Sequence, residues 1–372
     1  MATRPTPGNP SGVESLSGQV HVGPWAIAGR PAIVGLAFLT ALVGGFAVVR
    51  AAPNVWAVDA HRNLAAAVAL QHGTLGSVPD YLYSPLAAAL AVPALALPAD
   101  LAVVAWLALK IAVLVVGTAI ATRELGRIDR LLLGVAVVAF LPILYDLELG
   151  NVTVIVLAAV AALAWTPDRI VTGIPLGLVL ATAPKPQLVP VLVWLAVAHR
   201  RALVGALVTA ALATLVGLAL AGPTAYTTWV DALRAPAYLT SGDVINLALW
   251  SLPPVIAIPG AVVAAGGFLL ALRRGHWPGL LAATCVGLLL APYTLIYGAG
   301  LLLVAAPATV RASPRAALGL AIIAPIALVL AFPMWVGLVL ALAVLVPAES
   351  WPSRGSAMTH VRMSVATHGS EP

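Results

Sequence analysis

Apolar residues fill this chain in successive runs, and polar residues are confined to short breaks between them. Leu101–Ile120 and Ala202–Ala221 reach the roughly 20 residues that cross a bilayer, and Ala32–Val49 comes close. Others, such as Pro85–Leu97, Val152–Trp165, Ile170–Ala183, Leu188–Ala198 and Gly279–Leu290, are too short to cross alone. That mixture predicts half-helices and hairpins, the broken-helix arrangement in which binding sites form inside a membrane protein, with about ten to thirteen transmembrane or re-entrant helices in all. Residues 1–26 are rich in Gly, Pro and Ser and read as a disordered tail, 27–348 as one integral-membrane domain, and 349–372 as a second disordered tail. Two longer polar segments interrupt the domain, at about 50–83 and 222–243. Within the first, Asp59 opens a stretch with Leu64, Val68 and alanines on one side, as expected of a helix lying in the membrane interface.

Composition fixes the class. Hydrophobic residues make up 62% of the 372 residues, charged residues 9%, and mean hydropathy is +1.04, so no soluble core could hide this much apolar surface. The fold expected is all-α and polytopic. The single cysteine, Cys285, lies within an apolar run, which excludes an internal disulfide and argues against zinc or redox chemistry. A net charge of +6 is spread over short clusters without interleaved aromatics, which fits membrane-flanking loops and argues against a nucleic-acid partner.

Those clusters, Arg123/Arg127/Arg130, Arg169, His199/Arg200/Arg201, Arg273/Arg274 and Arg311/Arg315, mark the cytoplasmic side by the positive-inside tendency. The loops between them, Asp146 to Asn151 and Pro184 to Gln187, then lie on the extracytoplasmic side, as does Asp59 if the N-terminus is cytoplasmic. Parity between Tyr83 and Arg123 requires Pro85–Leu97 to be re-entrant or interfacial.

Lys185 carries the most information of any residue. An ammonium at membrane depth costs at least about 2.5–3.5 kcal/mol, so it implies an anionic partner or a water-filled cavity. Pro184 and Pro186 break the helix beside it, which is tolerated at depth where the backbone lines a cavity or is buried in protein. The alternative is a lysine snorkelling from a hairpin tip to the headgroups.

Several motifs in order, Asp59 in a long first loop, Tyr81-Leu-Tyr83-Ser-Pro85, a helix with Trp106, Gly150-Asn151, Lys185-Pro186-Gln187, His199-Arg200-Arg201 and Ala291-Pro292-Tyr293, make the chain similar to the family 87 glycosyltransferases. The likeness runs from about Ala32 to Val346; Asn151 stands where Gln is commoner in that family. The resemblance implies a bundle of the GT-C class and transfer of mannose, or of arabinofuranose, from a polyprenyl-phosphate donor to a glycolipid or cell-envelope glycan. It also implies a plasma-membrane location, an extracytoplasmic active site and no cofactor or metal. A lipid-linked sugar transporter or flippase is the rival class, but no second copy of the Pro-Lys-Pro hairpin marks the repeated halves expected of one.

On that reading, phosphate is already a competent leaving group, so the reaction needs a base but no general acid. Asp59 is the candidate base, inverting a β-linked donor to an α-linked product; otherwise it is a helix N-cap. Lys185 and Gln187 are candidate donor-phosphate ligands, with His61 and Arg62 beside Asp59 able to touch phosphate or lipid headgroups alike. Asp146, Glu148 and Asn151 are candidate sugar contacts or members of a polar interfacial turn, and Glu148 is the alternative base. Tyr81 and Tyr83 either anchor in the aromatic belt or face the site. Tyr293 and Tyr297, four apart, are taken to share a helical face that lines the cavity or packs the core, and Asn246 joins the sugar- or acceptor-binding candidates. Trp229 and Tyr238 of the second polar segment offer ring faces for a glycan or anchors for an interfacial helix.

Overall fold

A computed structural model describes residues 57–79, 81–122, 140–166, 168–234 and 246–352, with Arg130, Leu133, Gly134 and Val137. The apolar run Ala32–Val49, the first tail, most of the second, Arg123, Arg127, Tyr238 and Asp243 lie outside the described residues. Those residues hold thirteen α-helices, seven 3-10 turns and no strand. This is the outcome the hydrophobic runs dictate, because a helix satisfies every backbone donor and acceptor within its own segment where water is absent. The chain is an all-α polytopic membrane protein.

Helix α1 is Val58–Gln71, α2 Pro85–Ala91, α3 Ala99–Ala121, α4 Leu141–Leu149, α5 Thr153–Trp165, α6 Ile174–Thr182 and α7 Val189–Ala198. They are followed by α8 Arg200–Arg234, α9 Pro254–Arg274, α10 His276–Leu290, α11 Ala306–Ala312, α12 Pro314–Leu330 and α13 Phe332–Leu345. Three of these, α3, α8 and α9, are long and apolar enough to cross a bilayer. Helix α8 breaks at Gly222, whose φ of 79° opens the left-handed region, just before Pro223, which has no N–H to continue the ladder. The polar segment expected at 222–243 is therefore helical as far as Arg234, and the Trp229 indole donates to Leu82 O (3.1 Å), pinning this leg to the segment before α2.

Other helices stop part-way. At about 1.5 Å per residue, α5 and α10 are roughly 20 Å long, as is each limb of the hairpin formed by Ile170–Thr182 and Pro186–Ala198. Each has one end beside a basic cluster: Arg169 follows α5 and opens the hairpin, Arg200 and Arg201 follow α7, and Arg273 and Arg274 precede α10. Their other ends bring Asn151, Lys185 and Tyr293 together, Lys185 donating to Asn151 and its neighbour Gln187 to Tyr293 O. Helix α2 with its 3-10 extension, Val92–Ala96, is likewise too short to span roughly 30 Å of hydrocarbon.

The core is centred on α10, buried from Trp277 to Leu289 and packed by α7, α9 and α13. A helix apolar all round belongs in such a place. Glycines allow the hairpin to press against α8: a Cβ on Gly173 would stand 1.9 Å from Ala202 O, and one on Gly205 equally close to Ile170 O. Such backbone contact is the usual basis of helix association in lipid. At the basic end, the rings of His199 and His276 meet (Nε2 to Nδ1, 3.0 Å), and the Trp194 indole donates to His276 O (3.1 Å), fastening the α7–α8 corner to the start of α10. Helix α1 departs from the expected amphipathic face. Its buried side is built of alanines 60, 66, 67 and 69, while Val68 is exposed.

Candidate active site

Asp59 stands in the first turn of α1 and caps nothing: the N-cap position is Ala57, and no side chain closes that end of the helix. Its carboxylate is held from two sides. Arg62 Nη1, three residues on along the same face, donates to Oδ1 (3.0 Å), and Asn151 Nδ2 donates to Oδ2 (2.6 Å). The Asn151 amide is oriented without ambiguity, because its oxygen accepts from Val152 N (2.8 Å), Thr153 Oγ1 (3.1 Å) and Lys185 Nζ (3.2 Å). Base candidate and cation are thus joined through a single amide. The Lys185 ammonium also lies 5.2 Å from the centre of the Tyr297 ring, a cation–π contact.

Local sequence explains how these segments meet. The α4–α5 turn ends on Gly150 at φ 68°, and a Cβ there would stand 2.9 Å from Ala60 Cβ, so glycine permits both the turn and the approach of α1. Ala57 N donates to Glu148 O (2.6 Å) across the same junction. The break at Pro184-Lys185-Pro186 ends α6 at Thr182 and restarts helix at Val189 after a 3-10 turn. The turn is buttressed by α10, where a Cβ on Gly287 would meet Gln187 O at 2.1 Å. Ser84 N donates to Thr182 O (2.8 Å), tying the Tyr81–Pro85 segment to the end of α6.

Not every candidate lies at this centre. His61 is exposed, two residues from Asp59 and so on another face of α1. Asp146, read from sequence as a sugar contact, is fully buried and paired with Lys110 (Nζ to Oδ2, 2.7 Å), while its Oδ1 accepts from Thr153 N (2.8 Å). Asn246 also serves the backbone: its amide bridges Pro292 O (3.1 Å), Ala248 N (3.0 Å) and Thr294 N (2.9 Å). Tyr293 and Tyr297 do not share a helix, since residues 291–295 are irregular and the 3-10 turn begins at Ile296. Gln187 Nε2 donates to Tyr293 O (2.7 Å), leaving its buried Oε1 without a partner, as is Oε1 of buried Glu148. Tyr81 is buried, donates to Ser84 O (3.3 Å) and packs edge-on against half-buried Tyr83. Burial first, and then the charge of Asp59, raise the Tyr83 pKa well above its ordinary value, so that hydroxyl remains a donor.

Two side chains with no site role assigned from sequence belong to the site's frame. Trp106 Nε1 donates to Gly150 O (2.8 Å), and Lys110 Nζ donates to Asp146 O (2.6 Å). Lys110 carried the same signal as Lys185, an ammonium inside an apolar run. A cavity of about 290 Å³ opens beside the centre, lined by Ala60, Asn63, Trp106, Val152, Thr182 and Ala183 among mostly apolar neighbours. It adjoins the residues that flank Asp59, Asn151 and Lys185.

The family model for glycosyltransferase family 87 matches residues 81–333, more than half of the chain. The chain belongs to glycosyltransferase family 87. It is therefore a membrane glycosyltransferase, and the match takes in the Asn151 turn, the Lys185 break and Tyr297, with Asp59 lying upstream of it. No curated protein and no solved structure matches this family 87 chain.

Proposed function

We propose that this glycosyltransferase transfers mannose from a polyprenyl-phosphate donor to a lipid-linked or cell-envelope glycan, inverting a β-linked donor to an α-linked product. Arabinofuranose is the other donor sugar to be tested. In this reaction the acceptor oxygen forms the new bond to the anomeric carbon, the bond from that carbon to the phosphate oxygen breaks, and the acceptor proton passes to Asp59. Lys185 offsets the charge gathering on the departing phosphate, an effect that grows where water is excluded. Arg62 and Asn151 hold the carboxylate in one orientation, so little reorganisation is needed as the proton arrives.

The observation that carries this reading is the Asp59–Asn151–Lys185 chain, in which Asp59 has no capping duty and a cation is fixed on the far side of one amide. The neighbouring apolar cavity supports a lipid-borne donor, since its volume is near the lower end of small-molecule sites and its lining suits hydrocarbon. Basic clusters at the opposite ends of the half-length helices support an extracytoplasmic site in the plasma membrane. The test incubates membranes containing the protein with radiolabelled polyprenyl-phosphate mannose or arabinofuranose and glycolipid acceptors, and identifies the labelled product. Asp59→Asn should reduce transfer by about 10²–10⁴-fold at unchanged expression, as expected for loss of a positioned base. Transfer by that variant at the wild-type rate would move the base elsewhere, with Glu148 next to be examined.

A further inference from the structure

Helix α3 crosses the membrane domain with two polar side chains one turn apart, Trp106 and Lys110, and both reach the same short turn. Lys110 is fully buried halfway along the helix. Its ammonium donates to Asp146 O and pairs with Asp146 Oδ2, while Asp146 O accepts in addition from Asn151 N (3.0 Å). Asp146 Oδ1 then accepts from Thr153 N, and Trp106 holds Gly150 O, so the Gly150–Asn151 peptide and the Thr153 N–H, on either side of the Asn151 side chain, are fixed by groups that trace back to α3. Asn151 sits within that bracket and carries the contacts to Asp59 and Lys185.

A buried ion pair adds little stability over well-packed apolar residues, because desolvation offsets most of the attraction. Here the pair does something an apolar pair cannot: it orients a backbone carbonyl and a helix start. We propose that Lys110, with Asp146 and Trp106, is a positioning residue for sugar transfer, setting the place of the Asn151 amide and through it the Asp59 carboxylate. This rests on the reading of Asp59 as the base. Lys110 touches no substrate on this view, and its effect falls on kcat.

The deciding comparison is among Lys110→Met, the double variant Lys110→Met/Asp146→Asn, and wild type, assayed in nanodiscs for transfer kinetics and thermal unfolding. Lys110→Met leaves a carboxylate buried alone and should lower both the unfolding temperature and kcat. The double variant removes that charge yet keeps an oxygen for Thr153 N. It should unfold near the wild-type temperature while kcat remains about ten- to a hundredfold down, the loss expected for contacts to charged groups. Recovery of kcat together with stability would show a purely structural pair and overturn the proposal. Should the double variant fail to fold, Trp106→Phe decides. That change keeps the ring packing and removes the bond to Gly150 O, so kcat should fall about three- to tenfold at unchanged stability; unchanged kcat overturns the proposal. Failure of the underlying reading looks different, as full activity in Asp59→Asn or no labelled product from wild type.

Discussion

Asn151 offers the sharpest single perturbation, because one amide ties the candidate base to the candidate phosphate ligand. Asn151→Leu keeps the branched shape and heavy-atom count and deletes four side-chain hydrogen bonds: to Asp59, to Lys185, to Val152 N and to Thr153 Oγ1. Two of the four involve an ionised partner, and each bond of that kind is worth about 1.5–3 kcal/mol. If only the Asp59 contact is felt in the transition state, kcat falls by roughly ten- to a hundred-and-fiftyfold; losing the Lys185 contact adds a rise in donor KM. Asn151→Gln, with its amide one methylene further out, should restore part of kcat, since both ends of the bridge remain available. The assay is a donor titration at saturating acceptor, with the purified variants in nanodiscs and circular dichroism to confirm folding. A folded Asn151→Leu protein with kcat and donor KM within twofold of wild type would refute the bridge as a catalytic feature.

Lys185→Ala should chiefly raise donor KM, by roughly ten- to two-hundredfold, leaving acceptor KM nearly unchanged, and Lys185→Arg should restore only part because a planar fork replaces a compact charge. Gly150→Ala forces a side chain into the left-handed region and against Ala60, so thermal unfolding should fall by at least about 1–2 kcal/mol in stability, with transfer lost alongside. For sidedness, single cysteines at exposed His72 and Arg274, in a Cys285→Ser background, should label oppositely with an impermeant thiol reagent in intact cells, His72→Cys reacting and Arg274→Cys not. The reverse pattern would invert the orientation.

The all-α membrane fold was legible because long apolar runs admit no other spanning structure, and the helix break at Lys185 was legible because two prolines enclose a charge. Asp59 also declared itself as a lone carboxylate at a helix start, although sequence could not separate a cap from a site. What sequence could not supply was pairing across distance. Asp146, Glu148 and Asn151 looked alike in one polar turn, yet burial gives Asp146 to Lys110, 36 residues away, and Asn151 to Asp59, 92 residues away. Asn246 resembled a sugar ligand and Gln187 a phosphate ligand for the same reason, and both spend amide groups on the backbone of residues 292–294. Polar residues in a membrane protein must satisfy local carbonyls and N–H groups before they serve a substrate, and which they do is decided by the tertiary neighbour.

Helix length connects the fold to the chemistry. A lipid-phosphate donor keeps its tail in hydrocarbon while its phosphate and sugar need polar partners, so the protein must carry charge below the membrane surface without exposing it to lipid. Full-length spans would place only side chains at that depth. Helices that stop after roughly 20 Å leave free N–H and C=O groups and turn residues there instead, and the ends of α5, the hairpin and α10 supply Asn151, Lys185, Gln187 and the Tyr293 carbonyl together. The spanning helix α3 then contributes what half-helices cannot, a rigid strut whose Trp106 and Lys110 bind the turn from behind. The division has a measurable consequence. Replacing Lys185 should alter donor recognition, whereas cutting the strut at Lys110, which lies outside the cavity lining, should slow transfer without loosening the donor, and a mutant series in which both changes moved donor KM equally would show that strut and phosphate ligand are not separate functions.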